Sequence, residues 1–168
     1  SPSSLMLYDI QELQRLYGAR TDFNTENNHF RFDDAHQQAI YDSGGIDTLN
    51  LTRHQVPTIV DLREGQRSTL EKQELDTDGN PTFTAYNNSV LIPYGVVIEN
   101  ARTGSGADIV GGNEISNLII TNDGMDVLTG RGGNDVLRGG DGADTYIWNL
   151  GDGRDTIIDI DRNVNADP

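Results

Sequence analysis

The sequence predicts an all-β protein: a parallel β-roll preceded by a β-sandwich-like cap and one N-terminal α-helix. Three observations predict it. A nine-residue period runs through residues 103–158, short alternating apolar segments bounded by turn residues occupy 29–98, and one helical apolar stripe occupies 4–18. The chain divides accordingly into helix plus cap (1–100), roll (101–158) and a polar tail or truncated continuation (159–168).

In SLMLYDIQELQRLYG, residues Leu5, Leu7/Tyr8, Ile10/Leu13 and Leu16/Tyr17 fall on one helical face, with Ser3 or Ser4 as N-cap and Gly18 just past the end. Alternation then predicts strands near His29–Phe32, Ile46–Leu51, Thr58–Leu62, Thr82–Tyr86, Val90–Ile92 and Val96–Ile98. Asp76-Thr77-Asp78-Gly79-Asn80 opens like an EF-hand loop, but Pro81 stands at the glycine position and Asn87 at the bidentate glutamate position, so a hairpin turn is expected.

Read in nines from Thr103, the roll gives TGSGADIVG, GNEISNLII, TNDGMDVLT, GRGGNDVLR and GGDGADTYI, then LGDGRDTII after an insertion of Trp148 and Asn149. The sixth positions are Asp108, Asn117, Asp126, Asp135, Asp144 and Asp155, and the eighth are Val110, Ile119, Leu128, Leu137, Tyr146 and Ile157. A flexible acidic linker has no use for an apolar residue locked in phase with each acid, so the period describes coils with an inward side chain. It matches the RTX nonapeptide G-G-x-G-x-D-x-U-x, a known calcium-binding repeat.

The chemistry of the repeat supports that match. Turn glycines allow carbonyls to face a common centre, here Gly104, Gly106, Gly124, Gly133, Gly140, Gly142 and Gly153, and aspartate adds a hard oxygen. Calcium takes about 6–8 such oxygens at roughly 2.3–2.6 Å. If each nonapeptide is half a coil, Asp108, Asp126 and Asp144 line one edge, and Asn117, Asp135 and Asp155 the other. Ions are expected at the 108/126, 126/144 and 135/155 pairs. The 117/135 pair is weaker, because Asn117 brings no charge and Ile115 replaces a glycine.

Composition narrows the partners. With 12 basic against 27 acidic residues, a formal charge of −15 and a single lysine, Lys72, the chain is unsuited to phosphate backbones or anionic lipid, so neither nucleic acid nor membrane insertion is expected. No apolar run approaches the ~20 residues of a membrane span, and Ser1-Pro2-Ser3-Ser4 lacks the basic and apolar parts of a secretory signal. Zero cysteines exclude disulfides and thiolate metal sites, so a secreted chain needs another staple, and the acidic surplus points to a hard cation. The histidines His29, His36 and His54 have no H-x-x-x-H spacing, so no zinc-protease site and no Zn2+ are expected in this chain. The adjacent Asp33 and Asp34 read as a solvated turn.

Taken together, SLMLYDIQELQRLYGA, YDSGGIDTLNL, IVDLREG and GVVIENARTGSGADIVGGNEISNLI resemble, in this order, the C-terminal domain of serralysin-type (metzincin) secreted metalloproteases. The resemblance spans about Ser4 to Asp155. It implies further calcium ions outside the repeats. One would be held by Asp42, Gly44, Gly45 and Asp47 with the backbone carbonyls of Asn24, Glu26 and Asn28, and another by Gly45, Asp47, the Val97 carbonyl and Glu99. It also implies a non-catalytic module of a secreted, extracellular bacterial protein that folds on calcium outside the cell, and an upstream protease domain. Export would use the type I secretion apparatus through a signal beyond this chain. A ligand-binding or spacer segment of a large RTX adhesin or toxin is the alternative reading.

Overall fold

The structure is a computed structural model that describes Glu12, Leu16 and residues 24–32, 38–75, 77 and 81–161. Glu12 and Leu16 are helical, and the rest of the predicted N-terminal helix lies outside the described residues. The strands are β1 (His29–Arg31), β2 (Gln38–Ala39), β3 (Thr48–Asn50), β4 (Thr58–Asp61), β5 (Arg67–Leu75), β6 (Pro81–Leu91), β7 (Asn100–Arg102), β8 (Ile109–Gly111), β9 (Leu118–Asp123), β10 (Val127–Thr129), β11 (Val136–Asp141), β12 (Thr145–Ile147) and β13 (Thr156–Ile158).

They form a solenoid of about six turns, in which the chain alternates between two sheets. The first sheet runs β1-β3-β7-β9-β11-β13, every neighbour parallel. The second runs β12-β10-β8-β4-β5-β6-β2. Within the repeats the register is that of stacked half-coils: Val127 pairs with Ile109, Val136 with Leu118 and Thr145 with Val127, each 18 residues apart, and Thr156 with Val136, 20 apart. The eighth-position side chains point inward as the period requires. Val110, Ile119 and Leu128 are fully buried, Leu137 nearly so, and Tyr146 packs against the core, while Ile157 on the last coil is half exposed.

The cap is sandwich-like in that two sheets face each other across the core, but these are the roll's own two sheets continued. Phe32, Ile40, Leu49, Leu51, Val60 and Leu62 share one hydrophobic cluster with Val110, Ile119, Leu128 and Leu137. The departure from the coil pattern is an excursion from Leu62 to Glu99 carrying an antiparallel hairpin, β5 and β6, inserted into the second sheet between β4 and β2. Sequence alternation located only parts of it. Thr82–Tyr86 and Val90–Ile92 belong to the single strand β6, the partner β5 was not predicted, and the strand expected at Val96–Ile98 instead forms at Asn100–Arg102. The apolar character of 96–98 reflects burial of Val96 and Ile98 under the returning chain rather than strand pairing.

Candidate metal centres on two edges

Each strand of the repeats is preceded by the sixth-position residue, and the turns that carry these residues stack on two edges. On the second edge, where the chain passes from the first sheet to the second, the Thr58 N–H donates to Asp108 Oδ1 at 2.7 Å, the Asp108 N–H to Asp126 Oδ1 at 2.8 Å and the Asp126 N–H to Asp144 Oδ1 at 2.9 Å. On the first edge the Asn117 N–H donates to Asp135 Oδ1 at 2.7 Å and the Asp135 N–H to Asp155 Oδ1 at 3.0 Å. Every carboxylate thus spends one oxygen on the backbone of the coil before it.

The first-edge ladder extends beyond the repeats. The Asn28 N–H donates to Asp47 Oδ1 at 2.7 Å and the Asp47 N–H to Glu99 Oε2 at 2.6 Å. Asp47, Glu99, Asn117, Asp135 and Asp155 each stand immediately before a strand of the first sheet, so the turn at 42–47 and the nonapeptides stack on one edge, with the Asn117 amide joining the two stretches of ladder through the Glu99 carbonyl. Sequence reading treated them as separate kinds of site because the Asp47 to Glu99 step spans 52 residues. The signal available was the residue preceding each β triplet, not the period.

The second oxygens carry the chemical interest. Asp42 Oδ1 and the Oδ2 atoms of Asp47, Asp108, Asp126, Asp135 and Asp144 are buried with no hydrogen-bond partner. Leaving a buried acceptor unsatisfied costs about 1–3 kcal/mol, and more when it is charged. The carboxyls respond accordingly. Burial pushes Asp126 up to about 6, and the carboxylates of Asp108 and Asp144 add to the rise. Burial likewise raises Asp135 to about 6, with Asp155 and Asp152 contributing. Asp42 rises to about 6 through burial and the neighbouring Asp47 and Glu99, against the Gly44 N–H that it accepts at 2.9 Å. Burial also raises Asp108, Asp144 and Glu99.

Among the described residues, no three His, Cys, Asp or Glu side chains converge as a ready cation cage. Each gap between turns offers one or two carboxylates, so a bound ion would draw its remaining oxygens from backbone carbonyls. The turns stack closely enough for this. A side-chain carbon on Gly142, at φ +133°, would stand 1.6 Å from the Gly124 carbonyl oxygen, and Gly124 and Gly153 meet the carbonyls of Gly106 and Gly133 in the same way. Gly104 lies against the His54 carbonyl, Gly106 against Val56, Gly133 against Ile115 and Gly140 against the Asn122 carbonyl. The left-handed second position does not require glycine: Asn122 and Arg131 hold it at φ 68°.

Of the remaining residues named from the resemblance, those of the 24–28 loop meet the 43–48 turn at the first edge. Gly45 approaches the Glu26 carbonyl, the Ser43 N–H reaches toward the Asn24 carbonyl at 3.5 Å, and the Asn28 carbonyl accepts the Thr48 N–H at 2.9 Å as part of the strand pairing. Val97 is half exposed beside Ile98. Within the 117/135 pair Asp135 keeps its unpartnered Oδ2, but the Asn117 rung differs from the aspartate rungs. Asn117 leaves no polar atom orphaned, since its Nδ2 donates to the Glu99 carbonyl at 2.8 Å and to Asn113 Oδ1 at 3.0 Å, and its Oδ1 accepts the Asn113 N–H at 2.8 Å. Sequence reading passed over Asn113, Arg131 and Asp61, which complete this rung.

This architecture has relatives. The chain is 33% identical to serralysin of Proteus mirabilis over 128 residues, 68% of this chain and 23% of that protein. It is 35% identical to serralysin C of Dickeya chrysanthemi over 119 residues, 62% of this chain and 22% of that protein. The chain therefore spans about a quarter of the length of the curated relatives that it matches. The family described as peptidase M10 serralysin C terminal matches residues 8–165, nearly the whole length, and the chain belongs to that family.

Proposed function

We propose that this chain is a calcium-binding, non-catalytic RTX module of a secreted bacterial protein, and that calcium outside the cell folds it. The observation that carries the reading is the set of buried carboxylate oxygens without partners on both edges, at Asp42, Asp47 and Asp135 on the first and at Asp108, Asp126 and Asp144 on the second. Such oxygens are costly to a metal-free fold and suited to a hard dication. Asp108, Asp126 and Asp144 would hold ions on the second edge. Asp135 with Asp155, and Asp42, Asp47 and Glu99, would hold them on the first, with turn carbonyls completing each shell. The ion supplies charge neutralisation and oxygen coordination, and the chain supplies the stacked turns.

Folding and binding are then one event. At the low calcium of a cytosol the acidic turns repel, and the chain stays extended enough to pass a type I export channel. At extracellular calcium each ion adds RT ln(1 + [L]/Kd), about 2.7 kcal/mol at a hundredfold excess over Kd. The serralysin relatives support a metalloprotease parent whose catalytic domain precedes this chain, with the module stabilising the exported enzyme. Titrating the chelated chain with calcium under far-UV circular dichroism tests the module. A cooperative rise in β signal with calcium and none with magnesium is expected. A full β spectrum in excess chelator would overturn the reading.

A further inference from the structure

The excursion between β4 and β7 leaves the solenoid at Leu62 and rejoins it at Ile98 and Glu99, and side chains from the next two coils grip both feet. Asn113, itself buried, donates from Nδ2 to the Leu62 carbonyl at 3.3 Å and to the Ile98 carbonyl at 2.9 Å. Asn117 ties Glu99 to Asn113 as described above. Arg131, one coil further on, reaches back with Nη1 to the Gly112 carbonyl and with its two terminal nitrogens to Asp61 at 2.9 and 3.2 Å. Arg63 closes on the other side of Asp61 at 2.6 Å. Although burial pushes Asp61 upward, its hydrogen bonds to Arg63 and Arg131 outweigh that and hold its carboxyl below the ordinary value.

Chemically the Asn117 rung is the inverse of the aspartate rungs. Asp47, Asp108, Asp126, Asp135 and Asp144 each present a buried carboxylate oxygen with no partner, whereas at Asn117 the amides satisfy one another and a guanidinium lies against Gly111 and the Gly112 carbonyl. A dication cannot share that carbonyl with a fixed positive charge. The cation in this gap is already part of the chain.

We infer that Asn113, Asn117 and Arg131 form a metal-independent clamp on the feet of the 62–99 excursion, so that the centre of the solenoid keeps its fold when calcium is withdrawn and templates the coils on either side. The contrast with the flanking coils rests on the calcium reading given above; the clamp itself does not. Its consequence is a fixed order, with β4, β7, β8 and β9 holding first and the acidic coils added as ions arrive.

Hydrogen exchange read by mass spectrometry on the whole chain tests this, with wild type and Arg131→Gly compared in chelator and in calcium. Glycine accepts the φ of 68° at this position, so the substitution removes the guanidinium without straining the turn. In chelator above pH 7, wild-type peptides covering 58–62 and 98–121 are expected to exchange at least tenfold more slowly than unstructured chain, while 124–158 exchange freely. Arg131→Gly is expected to lose most of the central protection in chelator and to regain it in calcium. Asn113→Asp, which keeps the size of the side chain but removes its two donors, should do the same. Free exchange of 98–121 in chelated wild type, or no loss of protection in either variant, would overturn the clamp. Protection across the whole of 29–158 in chelator would instead overturn the calcium reading, and a selective loss at 58–62 and 98–121 in the variants would still support the clamp.

Discussion

On the second edge Asp108, Asp126 and Asp144 follow one another at intervals of 18, each with an unpartnered buried oxygen, whereas on the first edge the run Asp47, Glu99, Asn117, Asp135 changes chemistry in its middle. The acidic rungs of both edges have the same backbone ladder, a side-chain oxygen accepting an N–H from the coil before, whereas Asn117 turns its Oδ1 to the Asn113 N–H of its own turn. The ladder bond uses only one oxygen of each carboxylate and does not by itself demand an ion. What demands one is the charge left over after the ladder is made, and an amide at that position leaves none. The neutral rung is also where the solenoid absorbs its excursion, which suggests why hydrogen bonds are used there: Leu62, Ile98 and Glu99 present carbonyls that amide donors can satisfy directly.

Withdrawing calcium should separate the edges most. Three ions on the acidic rungs at a hundredfold excess over Kd would contribute about 8 kcal/mol together, comparable to the whole stability of a small domain. Thermal unfolding in chelator is expected to lose its main cooperative transition, and magnesium should not restore it. An unchanged melting temperature would show that the second edge is as self-sufficient as the Asn117 rung.

A smaller change targets the second edge alone. Asp126 stands between two gaps, accepting from Asp108 and donating to Asp144, so Asp126→Asn keeps the ladder bond to Asp108 and removes the charge from both gaps. Calorimetric titration should then count up to two ions fewer, a loss of about 5 kcal/mol at the same excess. Asp155→Asn on the last rung should lose at most one. Equal effects from the two substitutions would contradict a ladder in which interior rungs serve two sites.

Leu128→Ala supplies the control, because the core lies under both edges. Leu128 is fully buried in the stack of eighth-position side chains, and truncation there should cost about 2–5 kcal/mol. The loss, read by urea unfolding in calcium, should leave the number of ions bound unchanged.

The contrast between regions also marks how far sequence carries. The nonapeptides were legible to the residue: the strand triplets, the 18- and 20-residue registers and the inward eighth positions all follow from period and phase. The same coils in residues 29–61 were legible only as short strands, because their turns have unequal lengths and no glycine rhythm announces them. That both halves share one pair of sheets, and that Asp47 and Glu99 are consecutive rungs, is tertiary information spread over 52 residues of chain. Asn113 and Arg131 were hidden for another reason. They occupy second positions, where the repeat pattern wants glycine, so they read as imperfections of the repeat although they form its most completely bonded rung.

The finest test uses protons in place of mutations. Asp126 and Asp135 have carboxyls raised to about 6 from 3.8, with burial as the leading cause, in a chain without metal. A raised carboxyl pKa means that the metal-free fold prefers the protonated form. That contribution is complete below about 3.8 and is lost as pH rises through about 6. In chelator, protonation near pH 5 should therefore favour the metal-free fold of these coils, and their β signal should fall between pH 5 and pH 7. With calcium the sign reverses, because the ion requires the carboxylate and protons compete with it below about 6, so stability should rise across the same window. Far-UV β signal in chelator and melting temperature in calcium, each measured at pH 5, 6 and 7, give the two slopes, and Asp126→Asn and Asp135→Asn should each flatten both. Slopes of one sign in calcium and chelator would mean that the buried oxygens are not what the ion binds.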